Sequence, residues 1–355
     1  MKRKLTITYA VICTLLLIAS FVGVFFSAWQ ERTADLIKAL IGLVLGVIIA
    51  PTVHELGHVV LAKTQNMRIE YVKFFCVKLT RKEGELRFSF ASPFTADQTQ
   101  VMPKSGKNMQ KRAGGYVLGG LFFSGALLVL ISALSLVCTL FFKTDYLFLG
   151  MLPYLLYLFM LNVVPMEYAS GKTDMLVYKG LQKGYDAEKV MLSAMEIQGR
   201  LFNGESFAEM DEKLFYDLPV LCEDEPLFLV ITDLRYRYHL ECGELEQAGK
   251  ELNRLASLEE YMTFEEKQKT AVELTYMHAL TGDRENALKN AEFCKELLAE
   301  ERVESKRALI ACALAVGKNE EAKTLVLQAE RLLENEENAG FKKFESVLLA
   351  RMKNE

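Results

Sequence analysis

Two histidines and a glutamate, His54, Glu55 and His58, stand in the stretch Pro51-Thr-Val-His54-Glu55-Leu-Gly-His58. A spacing of four brings both imidazoles onto one helical face, where they can ligate a single metal ion. Glu55, beside the first histidine, can act as general base on the water that such an ion carries. The chemistry implied is hydrolysis of a peptide bond, with one Zn²⁺ per chain and Glu55 as the catalytic residue. The chain contains four histidines, so half of them fall in this window. A purely structural reading would bury His54 and His58 as packing residues and pair Glu55 with a lysine. Against it, ionisable groups within an apolar membrane segment are costly and by default mark function.

The window lies toward the inner end of an apolar segment running from Leu36 to Ala62. Four such runs, at about 5–29, 36–62, 115–142 and 146–164, are long enough to span a bilayer. The first follows Met1-Lys-Arg-Lys. Its apolar core is too long for a signal peptide and Phe26-Ser-Ala28 is a poor cleavage site, so it reads as a retained helix with the N-terminus in the cytoplasm and Trp29 at the far interface. The second run then returns inward, placing His58 on the order of 6–10 Å from its cytoplasmic end. Pro51 frees a backbone carbonyl just ahead of His54, either to open room for metal and substrate or simply to kink the helix.

Between Lys63 and Arg112 the chain carries eleven lysines and arginines, which keeps that stretch cytoplasmic under the positive-inside rule. Part of it alternates like strand: Ile69, Tyr71, Phe75, Val77 and Leu79 form one expected arm, Glu83-Gly84 the turn, and Leu86, Phe88 and Phe90 the other. Gln98 to Met102 is a further extended piece ending at Pro103. An exposed strand edge there could hold an unfolded substrate, although most such hairpins are structural. The third run opens with Gly114, Gly115, Gly119, Gly120, Ser124 and Gly125, small residues that let helices approach closely; the metal-bearing helix is the expected neighbour. After the fourth run comes Asn162-Val-Val-Pro165-Met-Glu-Tyr-Ala-Ser-Gly-Lys-Thr-Asp174. Two histidines leave a catalytic zinc site short of a ligand, and a distant carboxylate is the usual third. Asp174 is the candidate and Glu167 the reserve, with Ser170-Gly171 as the turn that would bring the chain back.

Residues 181–355 are charged and contain no spanning run, so the chain divides into a membrane domain, 1–180, and a soluble helical domain, 181–355. The segments around Gly243, Gly282 and Gly317 each place an alanine five residues after the glycine, and the glycines are 39 and 35 residues apart. That period resembles tetratricopeptide-type helical hairpins, with an irregular helical bundle as the alternative. His239 and His278, in these helices, have no matching ligand set and read as surface or packing residues. The fold class is therefore mainly α: a polytopic membrane domain of about four spans with a small cytoplasmic β-hairpin region, then an α-helical repeat-like domain. A net charge of −4 gives no basic field for nucleic acid. Seven scattered cysteines without a CxxC pair argue for reduced thiols rather than a disulfide framework.

With HELGH in one membrane helix and NxxP followed by an aspartate after a later one, residues 36 to 180 resemble the site-2 protease family of intramembrane zinc metalloproteases. The connecting region, with its hairpin and Gly-rich entry to the next helix, looks like a bacterial branch of that family. The resemblance implies three core helices, a zinc reached from the cytoplasm and cleavage of substrate transmembrane segments or signal-peptide remnants in a bacterial cell membrane, while the basic start and the basic 63–112 stretch place both termini in the cytoplasm. It implies His54, His58 and Asp174 as metal ligands, Glu55 as base and Asn162 as the residue that holds substrate backbone. Two features depart from the family pattern: Met175 stands where glycine usually follows the aspartate, and the Pro165–Asp174 spacing is longer than the commonest one. The alternative reading is a catalytically inactive homologue that serves as a membrane scaffold, with 181–355 recruiting a cytosolic partner in either case.

Overall fold

The structure, a computed structural model of the 355-residue chain, describes residues 2–82, 85–92, 97–141, 145–168 and 171–353. Among the described residues four helices are long and apolar enough to cross a membrane: α1 (Lys2–Glu31), α2 (Thr33–Thr64), α3 (Met109–Phe141) and α4 (Tyr146–Val163). At ~1.5 Å per residue α2 and α3 each reach roughly 50 Å, more than a ~30 Å hydrocarbon core, so both extend beyond it. The outward faces of α1 and α3 carry exposed apolar side chains such as Val22, Phe26, Phe122 and Val129, as contact with lipid requires.

Helix α2 packs against both α3 and α4, and glycine is what permits the approach. A Cβ on Gly57 would lie 2.2 Å from the carbonyl oxygen of Gly119, and one on Gly119 would lie 2.5 Å from that of Gly57. The small residues of α3 do therefore meet the histidine-bearing helix. Toward the other end, Ala50 of α2, Ile131 of α3 and Met151 and Leu155 of α4 form a buried apolar cluster.

Between α2 and α3 lies a four-stranded sheet of β1 (Met67–Phe74), β2 (Val77–Lys82), β3 (Glu85–Phe90) and β4 (Gln98–Pro103), in the order β3-β2-β1-β4. The single arm expected from Ile69 to Leu79 is in fact two strands. The chain reverses at Phe75, whose φ of 49° is unusual for a residue with a bulky side chain. Val72 faces Leu79 and Phe74 faces Val77, so the parity of the inward face flips at the turn and the alternation of odd positions was misleading. Asp97 braces the reversal: one carboxylate oxygen accepts from the Phe75 N–H and from the Lys73 ammonium, each at 2.8 Å. The Glu83-Gly84 turn lies outside the described residues, as does Ser170.

After α4 the chain forms a minimal antiparallel pair, β5 (Glu167–Tyr168) and β6 (Gly171–Lys172), and then enters α5 (Asp174–Lys183). Helix α5 is held on α3 by the Gln110 amide, which donates to the Leu181 carbonyl at 2.6 Å, and by Tyr178 against Gly114.

The chain divides into two compact units, residues 1–102 with 108–188 and residues 103–107 with 189–355. The second is helical: most of α6 (Asp186–Phe202), then α7 (Lys213–Tyr216), α8 (Pro226–Cys242), α9 (Leu245–Ala256), α10 (Phe264–Leu280), α11 (Arg284–Phe293), α12 (Lys295–Leu298), α13 (Val303–Ala315), α14 (Asn319–Glu334) and α15 (Ala339–Lys353). The turns α8/α9, α10/α11 and α13/α14 share one geometry. Gly243, Gly282 and Gly317 take φ of 81°, 79° and 74°. In each case the next residue's N–H closes a 2.9 Å bond to the carbonyl of His239, His278 or Ala313. Both histidines also face an acid across the turn, His239 with Glu244 at 2.6 Å and His278 with Asp283 at 3.3 Å. At the centre of the unit Arg307 is fully buried, donating to Glu345 of α15 and to Glu273 of α10, both at 2.9 Å, with its guanidinium 4.2 Å from the Tyr276 ring centre.

Candidate metal centre

His54, Glu55 and His58 occupy the last third of α2 and are all buried. Asp174 arrives from α5, where it is the first helical residue. Its placement follows from Thr173, whose hydroxyl caps α5 by accepting from the Leu176 N–H and also donates to the Val164 carbonyl at 3.0 Å. The Thr173 N–H donates to the Met166 carbonyl at 3.0 Å while its hydroxyl accepts from the Met166 N–H. The chain is thus zipped between Met166 and Thr173, with β5 and β6 as the excursion between them. The long Pro165–Asp174 spacing is taken up by this small hairpin, so that Asp174 starts from a point fixed beside the end of α4.

Three ligand atoms converge. His54 Nε2 and His58 Nε2 are 3.3 Å apart, and Asp174 Oδ2 lies 3.2 Å from the first and 3.4 Å from the second. Four ligands about 2.0–2.1 Å from a tetrahedral Zn²⁺ would be separated by roughly 3.3 Å, so the three atoms form one face of such a polyhedron. Although buried and at ion-pair distance from two imidazoles, Asp174 Oδ2 has no well-aligned hydrogen-bond donor. The three atoms are placed so that they could hold one metal ion at a common point. Among the described residues this is the one His/Cys/Asp/Glu cluster with metal-ligand geometry.

The far nitrogens of both rings are also engaged. His58 Nδ1 is 3.0 Å from the backbone carbonyl of Tyr116; a carbonyl only accepts, so the proton sits on Nδ1 and the Nε2 lone pair is free for a metal. His54 Nδ1 is 3.0 Å from the Ser124 hydroxyl. Gly120 lies between these two anchors on α3, and a Cβ there would intrude to 2.5 Å from His58 Nε2 and 2.6 Å from His54 Nε2. On the other side Thr99 of β4 donates its hydroxyl to Glu55 Oε2 at 2.6 Å. Glu167, the reserve ligand, is exposed on β5, paired in register with Lys172. The Asn162 amide donates to the Leu158 carbonyl one turn back on its own helix at 3.2 Å, and so has an intrahelical partner.

Ser124 was visible in the sequence only as one small residue among glycines, and Thr99 and Tyr116 carried no signal. Their contacts to α2 span 70, 44 and 58 residues, beyond the reach of any local motif. Compared with family models, with curated proteins and with solved structures, the chain matches none.

Proposed function

We propose that the chain is an intramembrane zinc metalloendopeptidase of the site-2 protease type, hydrolysing peptide bonds in or near the transmembrane segments of membrane-protein substrates. The observation that carries this reading is the ligand triangle of His54, His58 and Asp174 beside a glutamate that is not a ligand. Zn²⁺ held there supplies Lewis acidity toward water and toward the scissile carbonyl. Glu55 takes up the proton of the attacking water and can return it to the leaving amine. The Tyr116 carbonyl sets the His58 tautomer, and the Ser124 hydroxyl, able to accept from His54 Nδ1, orients the second ring for ligation. Burial of His54, Glu55 and His58 against α3, α5 and β4 limits competing bulk water, and a helical substrate must unwind locally before its carbonyl can be attacked. Asn162 is assigned to substrate backbone, which requires it to release its bond within α4.

The same proposal makes this a multi-pass protein of a bacterial cell membrane with both termini cytoplasmic. Its second unit would be a tetratricopeptide-like stack that recruits a substrate's cytosolic tail or a partner protein. The recurring turn geometry at Gly243, Gly282 and Gly317 supports the repeat reading.

The protein purified in detergent should hold about one Zn²⁺ per chain. Glu55→Gln should keep the metal and lose proteolysis, and comparative membrane proteomics of cells carrying each form should reveal an uncut membrane-protein remnant in the variant. Zinc unchanged in the His54→Ala/His58→Ala double variant would remove the metal reading. Zinc present with no remnant accumulating would leave an inactive scaffold.

A further inference from the structure

We propose that Thr99 is a positioning residue for Glu55, held in place by Tyr116, so that strand β4 sets the orientation of the base. The inference rests on the metallopeptidase reading above and deepens it. Glu55 is buried, and the Thr99 hydroxyl is the one hydrogen-bond donor to it among the described residues. The hydroxyl takes Oε2, which leaves Oε1 without a protein donor and available to a water at the metal centre. A carboxylate on a helix has two soft side-chain torsions beyond χ1, so one fixed oxygen decides where the other points.

Thr99 is in turn fixed from two directions. The Tyr116 hydroxyl donates to the Thr99 backbone carbonyl at 2.7 Å, while the Tyr116 backbone carbonyl accepts from His58 Nδ1 at 3.0 Å. Glu55 and His58 are neighbours on α2, so these bonds close a circuit: Glu55 to Thr99, Thr99 to Tyr116, Tyr116 to His58, and back along the helix. Three elements, α2, β4 and α3, are tied into one ring about the base and a ligand. Two residues before Thr99, Asp97 is pinned by the buried Lys73 and the Phe75 N–H, which fixes where β4 begins. A threonine serving only to attach β4 to α2 would need neither the second tether nor an acceptor left with a spare oxygen.

The test uses the full-length chain in detergent loaded with Co²⁺, whose visible bands report ligands entering the metal centre. Two probes separate the roles: acetohydroxamate, which binds the metal and also hydrogen-bonds to the base, and azide, which only ligates. Thr99→Val keeps the shape of the side chain and removes the hydroxyl. It should weaken acetohydroxamate by about 10- to 100-fold while azide stays within about twofold, and Thr99→Ser should restore most of the loss. Tyr116→Phe, which keeps the carbonyl on His58, should shift acetohydroxamate in the same direction by a smaller factor. The proposal falls if Thr99→Val binds acetohydroxamate like the parent, if both probes weaken together, if Thr99→Ser is no better than Thr99→Val, or if Tyr116→Phe leaves both probes unchanged. A parent chain that gives no cobalt bands removes the metal centre itself, a different failure from an intact centre indifferent to Thr99.

Discussion

Asp174 owes its position to Thr173 and Met166 more than to its own side chain. Because the chain is zipped at that pair, the two candidate carboxylates are sorted by geometry: Glu167 leaves on the excursion and Asp174 starts the helix that returns to the histidines. Asp174→Asn should therefore cut zinc occupancy and abolish cleavage, while Glu167→Gln should keep both; metal analysis of the two purified variants decides it, and the reverse outcome would transfer the ligand role. That the two histidines share a face beside Glu55 was legible in the sequence because residues four apart on a helix lie on one side of it. Asp174 was legible only as one of two acids after the fourth run, since a nine-residue step from Pro165 does not say whether the intervening chain is extended or folded back.

Helix α3 does two jobs with one face. It approaches α2 closely through Gly119 against Gly57, and it presents Tyr116, Gly120 and Ser124 to the histidine rings at successive turns. Gly120→Ala is the sharp test of this arrangement. The added methyl would sit on the ligand nitrogens, so zinc should be lost while helical content by circular dichroism is unchanged. Gly57→Ala should act differently, destabilising the fold by about 1–3 kcal/mol through overpacking of the crossing, read as a lower unfolding midpoint in detergent. The run of small residues announced a close helix contact but not which glycine met backbone and which met imidazole; that depends on the phase of α3 about its own axis. The strand region failed for a related reason. Parity along one arm cannot show a two-residue reversal, and the residue that makes it, Phe75, is not one that marks turns.

For the whole molecule the four apolar helices were plain from hydropathy, because a bilayer demands length and composition that little else imitates. The proposed topology predicts that reporter fusions at Asp35 and Asp145 read external and a fusion after Lys353 reads cytoplasmic; an external reading after Lys353 would change the number of spans. In the second unit, the glycine turns were readable from their period, but the ionic centre was not. Arg307, Glu273 and Glu345 look in the sequence like three more charges on helical surfaces, yet all three are buried together. Burial pushes the Glu345 carboxyl up to about 7, with Arg307 opposing. A value above the ordinary 4.5 means that the folded unit holds this proton more tightly than the unfolded chain does. The resulting stabilisation is complete below about pH 4.5 and is lost as pH rises toward about 7. The urea midpoint of residues 189–355, followed in the full chain by limited proteolysis, should therefore fall across that interval, and Glu345→Gln should flatten the dependence.

The place of Glu345 in the chain also sets a schedule for biosynthesis. Arg307 cannot be buried with both of its carboxylates until residue 345 has left the ribosome, by which time the helices bearing His54, His58 and Asp174 have long been released. The helical unit therefore completes its ionic centre only after the site residues of the first unit have been synthesised. During translation the Arg307 guanidinium would have Glu273 alone as its acid partner, and the centre of the helical unit would stay incomplete until the last helix is made.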